Sequence, residues 1–69
     1  MRITWVRAMG NGEYRCFFML ADGGGRWADL RVSTYETRYV GGNAQSDDER
    51  SEMRALVTEM VFEGATCRA

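Results

Sequence analysis

Few side chains in this sequence are of the types that perform catalysis or hold a metal ion. The 69 residues include no histidine and two cysteines, Cys16 and Cys67. Histidine is the side chain that most often acts as a base near neutral pH. A cysteine nucleophile needs a neighbouring base or positive charge that lowers its pKa. We therefore expect no catalytic group and no cofactor, and predict that the protein is not an enzyme.

Two further clusters could suggest chemistry, and each has a structural explanation. The acids at 47–49 could hold a metal ion, but acidic side chains are also favoured in the first turn of a helix. The glycines at 23–25 could cradle a phosphate, but they lack the Gly-Lys-Ser/Thr ending of a P-loop and a following helix. We interpret the acids as a helix start and the glycines as a turn, and predict no metal site.

The cysteines are interpreted as structural. Cys16 falls in the middle of an apolar strand pattern, and free cysteine is often buried as a small core residue. A Cys16–Cys67 bridge is the alternative. One pair of cysteines does not form the framework of a disulfide-rich secreted domain.

The N-terminal part predicts a β-hairpin. Residues 2–9 alternate with the period of two that is typical of a strand. Asn11-Gly12 follows and favours a type I′ turn, in which both central residues have positive φ. A turn at this position would place Trp5 opposite Phe18, with Ile3 facing Leu20 and Val6 facing Phe17.

A second strand is predicted at about 13–21 and a third at about 26–33. A three-residue loop at 23–25 would join them and place Phe18 opposite Leu30 and Cys16 opposite Val32. One face of the sheet then becomes apolar and is predicted to form the core. Its residues are Ile3, Trp5, Cys16, Phe18, Leu20, Ala28, Leu30 and Val32.

Residues 35–40 alternate more weakly, as a short fourth strand or an extended connection. Ser46 and Glu49 fit a capping box, in which the Ser46 side chain accepts from the Glu49 backbone and the Glu49 carboxylate reaches back. A helix is predicted at about 47–63, ending before Gly64, with a frayed tail at 65–69. Its apolar stripe consists of Met53, Leu56, Val57, Met60 and Val61.

These elements predict a single α+β domain at 1–69: a three- to four-stranded antiparallel β-meander followed by one C-terminal amphipathic helix packed on one sheet face. Small domains have small cores and often gain stability by oligomerisation, so we expect a homodimer. No run approaches the ~20 apolar residues of a membrane helix, and the N-terminus lacks the apolar core of a signal peptide. We expect a cytoplasmic protein without a membrane partner.

The other sheet face is predicted to be the functional surface, since one helix covers only one face. It would expose Arg2, Thr4, Val6, Arg15, Phe17, Met19, Trp27, Asp29 and Arg31. Aromatic residues, methionine and arginine are the types enriched in protein interfaces. The residues predicted to bind a partner are Arg15, Phe17, Met19, Trp27 and Arg31, with Tyr35 and Tyr39 near the rim.

Several occupants of that face remain open. A second copy of the chain or a different protein fits its apolar character. Nucleic acid fits its arginines and aromatic rings, which could hold phosphates and stack bases. A competing hypothesis uses the acidic helix as a mimic of a nucleic-acid backbone, through Asp47, Asp48, Glu52 and Glu59.

Two stretches resemble nucleic-acid-binding families. One resembles the sheet-plus-helix of AP2-type and integrase arm-binding domains, and it contains Tyr14-Arg15, Asp22-Gly23 and Arg26-Trp27. The other resembles the last strand-to-helix junction of double-stranded-RNA-binding domains, and it contains Val40-Gly41-Gly42 and Ser46. That second family places lysines at the helix start, where Asp47 and Asp48 would repel phosphate here.

The chain as a whole is similar to the small inhibitors of Pseudomonas-type phages, among them some anti-CRISPR proteins. It shares their small size, short β-meander and acidic helix, and all nine of its basic residues are arginine. The resemblance implies a phage-encoded, non-enzymatic protein that occludes a host protein or complex, such as an anti-CRISPR or an anti-activator. The alternative is a small nucleic-acid-binding accessory factor that uses the arginine and aromatic sheet face.

Overall fold

A computed structural model describes residues 1–63 and shows a four-stranded antiparallel sheet followed by a helix. In sheet order the strands are β1 (Arg2–Gly10), β2 (Glu13–Met19), β3 (Gly25–Val32) and β4 (Thr37–Gly42). Helix α1 (Asp47–Thr58) follows and continues as a π-helical turn, Glu59–Glu63. The predicted α+β meander with one C-terminal helix is confirmed. The helix stop at Gly64, the tail at 65–69 and Cys67 lie outside the described residues.

The first hairpin has the predicted turn. Asn11 and Gly12 have φ values of 57° and 76°, as a type I′ turn requires, and Gly10 pairs with Glu13. A side chain at Gly12 would meet the carbonyl oxygen of Val32 at 2.7 Å. The turn therefore needs glycine both for its backbone angle and for its close approach to β3.

The predicted register of β1 on β2 was wrong, because β1 contains two irregularities. The register shifts between Ala8 and Gly10 and again between Ile3 and Trp5, and each bulge adds one residue to β1. Trp5 consequently lies opposite Phe17 instead of Phe18. It lies on the side away from the core, not in the core as predicted.

Val6 changes sides for the same reason. It was expected opposite Phe17 on the open side of the sheet, but it pairs with the buried Cys16. Directly opposite residues of an antiparallel pair share a face. Val6 therefore lies on the helix side, where it stays 41% exposed because α1 packs mainly across β3 and β4.

The connection between β2 and β3 is longer than predicted. It occupies residues 20–24, where the Leu20 N–H donates to Gly24 O at 2.8 Å and the Gly23 N–H donates to Leu20 O at 2.9 Å. Cys16 therefore pairs with Ala28 instead of Val32. The predicted register of β3 against β2 is displaced by four residues. Because four is an even number, the β2 and β3 side chains still lie on their predicted faces.

Helix α1 and the sheet enclose a small core. Cys16 is fully buried, as predicted for a core residue. The helix contributes two fully buried residues of its predicted stripe, while the rest of that stripe is partly buried against them. The buried set is Cys16, Phe18, Ala28, Leu30, Met53 and Val57.

The helix start follows the capping prediction in part. The Ser46 hydroxyl accepts a hydrogen bond from the Glu49 N–H at 3.2 Å, as predicted. The Glu49 carboxylate accepts from the Gln45 N–H at 2.8 Å and not from that of Ser46. Neither α1 nor any other helical segment among residues 1–63 has the length and hydropathy that a membrane-spanning helix requires.

Candidate interaction face

The sheet face opposite α1, here called the open face, carries a cluster of exposed aromatic rings. Trp5, Phe17 and Trp27 lie side by side on β1, β2 and β3, because Trp5 pairs with Phe17 and Phe17 pairs with Trp27. Their exposed fractions are 44%, 44% and 36%. The Trp5 and Phe17 rings are 5.1 Å apart and tilted by 52°. Together with the exposed Met19, these residues form what we call the aromatic patch.

Two shallow depressions border the patch. One of about 280 Å³ lies between Arg15, Phe17 and Trp27. Another of about 390 Å³ is lined by Phe17, Met19 and Trp27 together with neighbouring residues. Small-molecule pockets typically measure about 300–1,000 Å³ and bury most of their ligand. Both depressions are open, so each suits a single apolar side chain of a partner better than a buried small molecule.

Arg15 is held in position next to the patch. Its guanidinium donates to both carboxylate oxygens of Asp29, at 2.8 and 3.0 Å. It also lies 5.6 Å from the centre of the Trp27 ring, a cation–π distance. The hydrogen bond between them raises the pKa of Arg15 and lowers that of Asp29. Both groups therefore stay charged near neutral pH, and the Arg15 side chain remains 43% exposed.

Two pairs of arginines face each other across neighbouring strands of the open face. Arg7 lies opposite Arg15, and Arg31 lies opposite Arg38. Like charges in directly opposite positions destabilise a sheet. Carboxylates compensate the positive charge of three of these four arginines, in the ion pairs Arg15–Asp29, Arg31–Glu13 and Arg38–Glu36. Arg7 forms no ion pair in the part of the chain that the structure describes.

Five of the seven residues predicted for partner binding lie on the open face. They are Arg15, Phe17, Met19, Trp27 and Arg31. Tyr35 lies in the loop between β3 and β4 and is 95% exposed.

Tyr39 does not lie at the rim of the open face. It pairs with the buried Leu30 and packs against the core on the helix side. Its hydroxyl accepts a hydrogen bond from the Ala44 N–H at 3.3 Å, and the Arg50 guanidinium lies 5.9 Å from its ring centre. Tyr39 therefore helps to hold the helix on the sheet.

Trp5 and Arg7 belong to the open face and were missing from the predicted site. Their side was inferred from an unbroken alternation along β1, counted from the Asn11-Gly12 turn. The register shift between Ala8 and Gly10 reverses that assignment, and the second shift, between Ile3 and Trp5, returns Ile3 to the helix side. Tryptophan and arginine are both enriched in protein interfaces, so Trp5 and Arg7 would have been predicted as site residues if they had been placed on the open face. The bulge itself leaves no clear mark in the sequence.

The acidic side chains of α1 are partly engaged within the molecule. Glu49 forms an ion pair with Arg26, and Glu52 lies 3.3 Å from the N-terminal amine of Met1. Asp47 forms an ion pair with Arg50 on the next turn. These contacts reduce the negative charge that the helix presents to a partner, and they explain much of its acidic composition structurally.

The described residues offer little for metal binding or nucleophilic chemistry. Among residues 1–63, no three histidine, cysteine or acidic side chains gather into a group that could hold a metal ion. Burial, with a smaller contribution from Asp29, raises the pKa of the Cys16 thiol to about 11. A thiol in this state carries little of the thiolate that reacts.

No family model, curated protein or solved structure matches this chain. The resemblances to phage inhibitors and to nucleic-acid-binding domains therefore stay predictions. The geometry of the open face carries the functional argument.

Proposed function

We propose that this protein is a non-enzymatic binding protein that attaches to another protein through its open face. The observation that carries the proposal is the aromatic patch. Large rings typically bury 150–250 Å² each, so the exposed parts of Trp5, Phe17, Met19 and Trp27 leave roughly 350 Å² of apolar surface in water. Patches of this size are often functional.

Binding would act by occlusion. A sheet face is rigid, and its aromatic side chains lose little freedom when a partner covers them, which favours affinity. A binding protein without catalytic groups affects its partner by covering a surface that the partner uses. The resemblance to small phage inhibitors supports a phage-encoded inhibitor and a host protein or complex as the target, in the manner of an anti-CRISPR or anti-activator.

A double variant of the patch tests the proposal. Phe17→Ala with Trp27→Ala should abolish the capture of partner proteins from a bacterial lysate, as measured by affinity purification and mass spectrometry. Both side chains are substantially exposed, so the variant should fold, and circular dichroism checks this. Asp48→Ala with Glu59→Ala is the control on the helix and should keep capture.

Two outcomes of this experiment would contradict the proposal. Capture that survives in the folded patch variant would show that the open face is not the binding surface. Capture that is lost only in the helix variant would move the binding surface to α1.

A nucleic-acid-binding accessory factor is the second candidate. One observation favours it: Arg7 and Arg15 lie beside three rings on which bases could stack. Glu13 and Asp29 lie on the same face and pair with Arg31 and Arg15, so few unpaired arginines remain for a phosphate backbone, and we prefer a protein partner. A nucleic-acid site requires an affinity that falls steeply as salt rises, and an anisotropy titration without binding at low salt removes this candidate.

The homodimer expected from the small core stays a prediction. The exposed Val6 on the helix side, beyond the main packing area of α1, is an apolar position that a second copy could cover. Such a dimer would leave the open face free for another partner. Light scattering at micromolar concentration should give the mass of a dimer, and a stable monomer contradicts the prediction.

A further inference from the structure

We propose that the open face recognises a protein segment in which a carboxylate stands next to an apolar side chain. The carboxylate binds between Arg7 and Arg15, and the apolar side chain enters the depression beside Trp27. This inference rests on the proposed function and specifies the chemistry of the partner.

Among residues 1–63, only one arginine of the Arg7–Arg15 pair has a carboxylate partner. Arg7 and Arg15 are direct partners on β1 and β2, and residues in this relation have Cβ atoms about 5 Å apart. Asp29 engages Arg15 from the β3 side. Among the described residues, no carboxylate forms an ion pair with Arg7. An anion placed between the two guanidinium groups would offset their repulsion.

The Arg15 guanidinium is held in a fixed position. Its two hydrogen bonds to Asp29 and its contact with the Trp27 ring hold the guanidinium before any partner arrives. Less side-chain freedom is then lost on binding, which favours affinity. Asp29 takes the Nε and Nη2 donors of Arg15, which leaves Nη1 of Arg15 and the guanidinium of Arg7 for a partner carboxylate. Arginine suits this role because its planar donors match carboxylate oxygens.

An apolar depression lies directly beside Arg15. Arg15 itself lines the depression of about 280 Å³, together with Phe17 and Trp27. A partner that places a carboxylate at Arg15 therefore brings its neighbouring side chain over the two rings. An apolar anchor in a pocket beside a charged contact is a common arrangement at the centre of protein interfaces.

The charge of the open face argues against a second copy as the occupant. Its strands carry five arginines and two acids on this side: Arg2, Arg7, Arg15, Arg31, Arg38, Glu13 and Asp29. In a two-fold dimer the same patch meets itself. Two such faces would place arginine-rich surfaces against each other, and like charges across an interface are costly.

The same acids argue against nucleic acid. A nucleic-acid strand carries one phosphate per nucleotide and would cross the face over several of them. Glu13 on β2 and Asp29 on β3 already pair with Arg31 and Arg15, so few arginines of this face remain to neutralise a run of phosphates. A protein can instead present one carboxylate at Arg7 and Arg15 and apolar atoms elsewhere.

Both tryptophans of the chain, Trp5 and Trp27, lie on the open face, so intrinsic fluorescence reports on this surface. The probes are two short, tryptophan-free peptides with blocked ends, one alternating glutamate with leucine and one alternating lysine with leucine. The acidic peptide should bind about tenfold more tightly than the lysine peptide at low salt. A single-stranded oligothymidylate is the third probe.

Charge reversal at Arg7 tests the site directly. Arg7→Glu should weaken binding of the acidic peptide about tenfold. Arg54→Glu makes the same change in net charge on α1, where Arg54 donates to Ser51, and should leave binding unchanged. Thermal unfolding confirms that both variants fold, which we expect because Arg7 is exposed.

Several results would overturn this inference. Equal binding of the two peptides, or no effect of Arg7→Glu, would exclude a carboxylate-specific site. Absence of binding by both peptides would also exclude it, while capture by the wild-type protein and its loss in the patch variant would still uphold the proposed function. Tighter binding of the oligothymidylate at about 0.15 M salt would identify nucleic acid as the occupant. A dimer that shields both tryptophans would identify a second copy.

Discussion

Arg26 on β3 and Glu49 in the first turn of α1 form a two-pronged ion pair that joins the sheet to the helix. The Arg26 Nε donates to Oε1 of Glu49 at 2.8 Å, and a second guanidinium nitrogen donates to Oε2 at 3.3 Å. The same Oε1 accepts the Gln45 N–H. One carboxylate thus holds the helix start in place and fixes its position on β3.

This relationship predicts a dependence of stability on pH. The hydrogen bond from Arg26, and then that from Gln45, lowers the pKa of Glu49 below its ordinary value of 4.5. The unfolded chain therefore binds more protons just below pH 4.5, so the free energy of unfolding falls as the pH drops through that range. Asp29 and Asp47, whose pKa values are lowered by Arg15 and Arg50, act in the same direction.

Urea denaturation at several pH values measures this effect. Glu49→Gln should lower the midpoint at pH 6 and reduce the fall in stability between pH 5 and pH 3. Asp48→Asn removes a charge from the same turn, where the described residues give Asp48 no ion pair, and should lower the midpoint at pH 6 much less, by the loss of its interaction with the helix dipole alone. Identical midpoints for the two variants would contradict a role for the Arg26–Glu49 contact.

Phe17 and Phe18 are neighbours in sequence with opposite environments, so truncating each should have a different effect. Phe18 is 2% exposed and Phe17 is 44% exposed. Phe18→Ala should cost about 3–5 kcal/mol, a large share of the roughly 3–10 kcal/mol expected for a domain of this size. Phe17→Ala should cost less than about 1.5 kcal/mol.

Urea denaturation followed by circular dichroism distinguishes the two variants. Phe18→Leu is the milder companion and should give a smaller, measurable loss of about 1 kcal/mol if Phe18→Ala does not fold. Equal losses for the two alanine variants would mean that β2 faces the helix in a different register.

Gly41 and Gly42 at the end of β4 should also differ in their tolerance of a side chain. A Cβ at Gly42 would lie 2.7 Å from the Tyr39 hydroxyl and 2.8 Å from the Cα of Ala28, and would also meet the Trp27 carbonyl oxygen. A Cβ at Gly41 would meet nothing within 4 Å. Gly42→Ala should cost about 2–3 kcal/mol, because backbone atoms must shift.

Thermal or urea unfolding of the two glycine variants gives the comparison. Gly41→Ala should remain within about 1 kcal/mol of wild type, because the added Cβ has open space around it. A Gly42→Ala protein as stable as Gly41→Ala would show that β4 lies farther from β3 than described.

Cys16 should be protected from thiol reagents. At pH 8 a thiol with a pKa of about 11 has about 100-fold less thiolate than one with the ordinary value of 9.0, and burial adds a steric block. In a Cys67→Ala background, a maleimide should modify Cys16 far more slowly in buffer than in concentrated urea. Mass spectrometry follows the reaction, and equally fast modification in both conditions would contradict the buried position.

Local sequence patterns predict the first three strands and the helix, whereas they leave β4 open as a short strand or an extended connection. The Asn11-Gly12 turn depends on the φ preferences of two adjacent residues, and the Ser46 cap depends on one hydroxyl placed three residues before Glu49. The apolar stripe of α1 and the even-numbered core residues of β2 and β3 follow from periodicity alone. For β2 and β3, even the wrong register preserved the face of each side chain, because it was displaced by an even number of residues.

Tertiary packing decided the composition of the open face. The register shifts of β1 bring Trp5 beside Phe17 and Arg7 beside Arg15. The bond between Arg26 and Glu49 likewise joins residues 23 positions apart. Such relations depend on how several elements fit together in space. Local patterns along the chain therefore predict the strands and the helix, whereas only the folded protein brings together the arginine pair and the three rings.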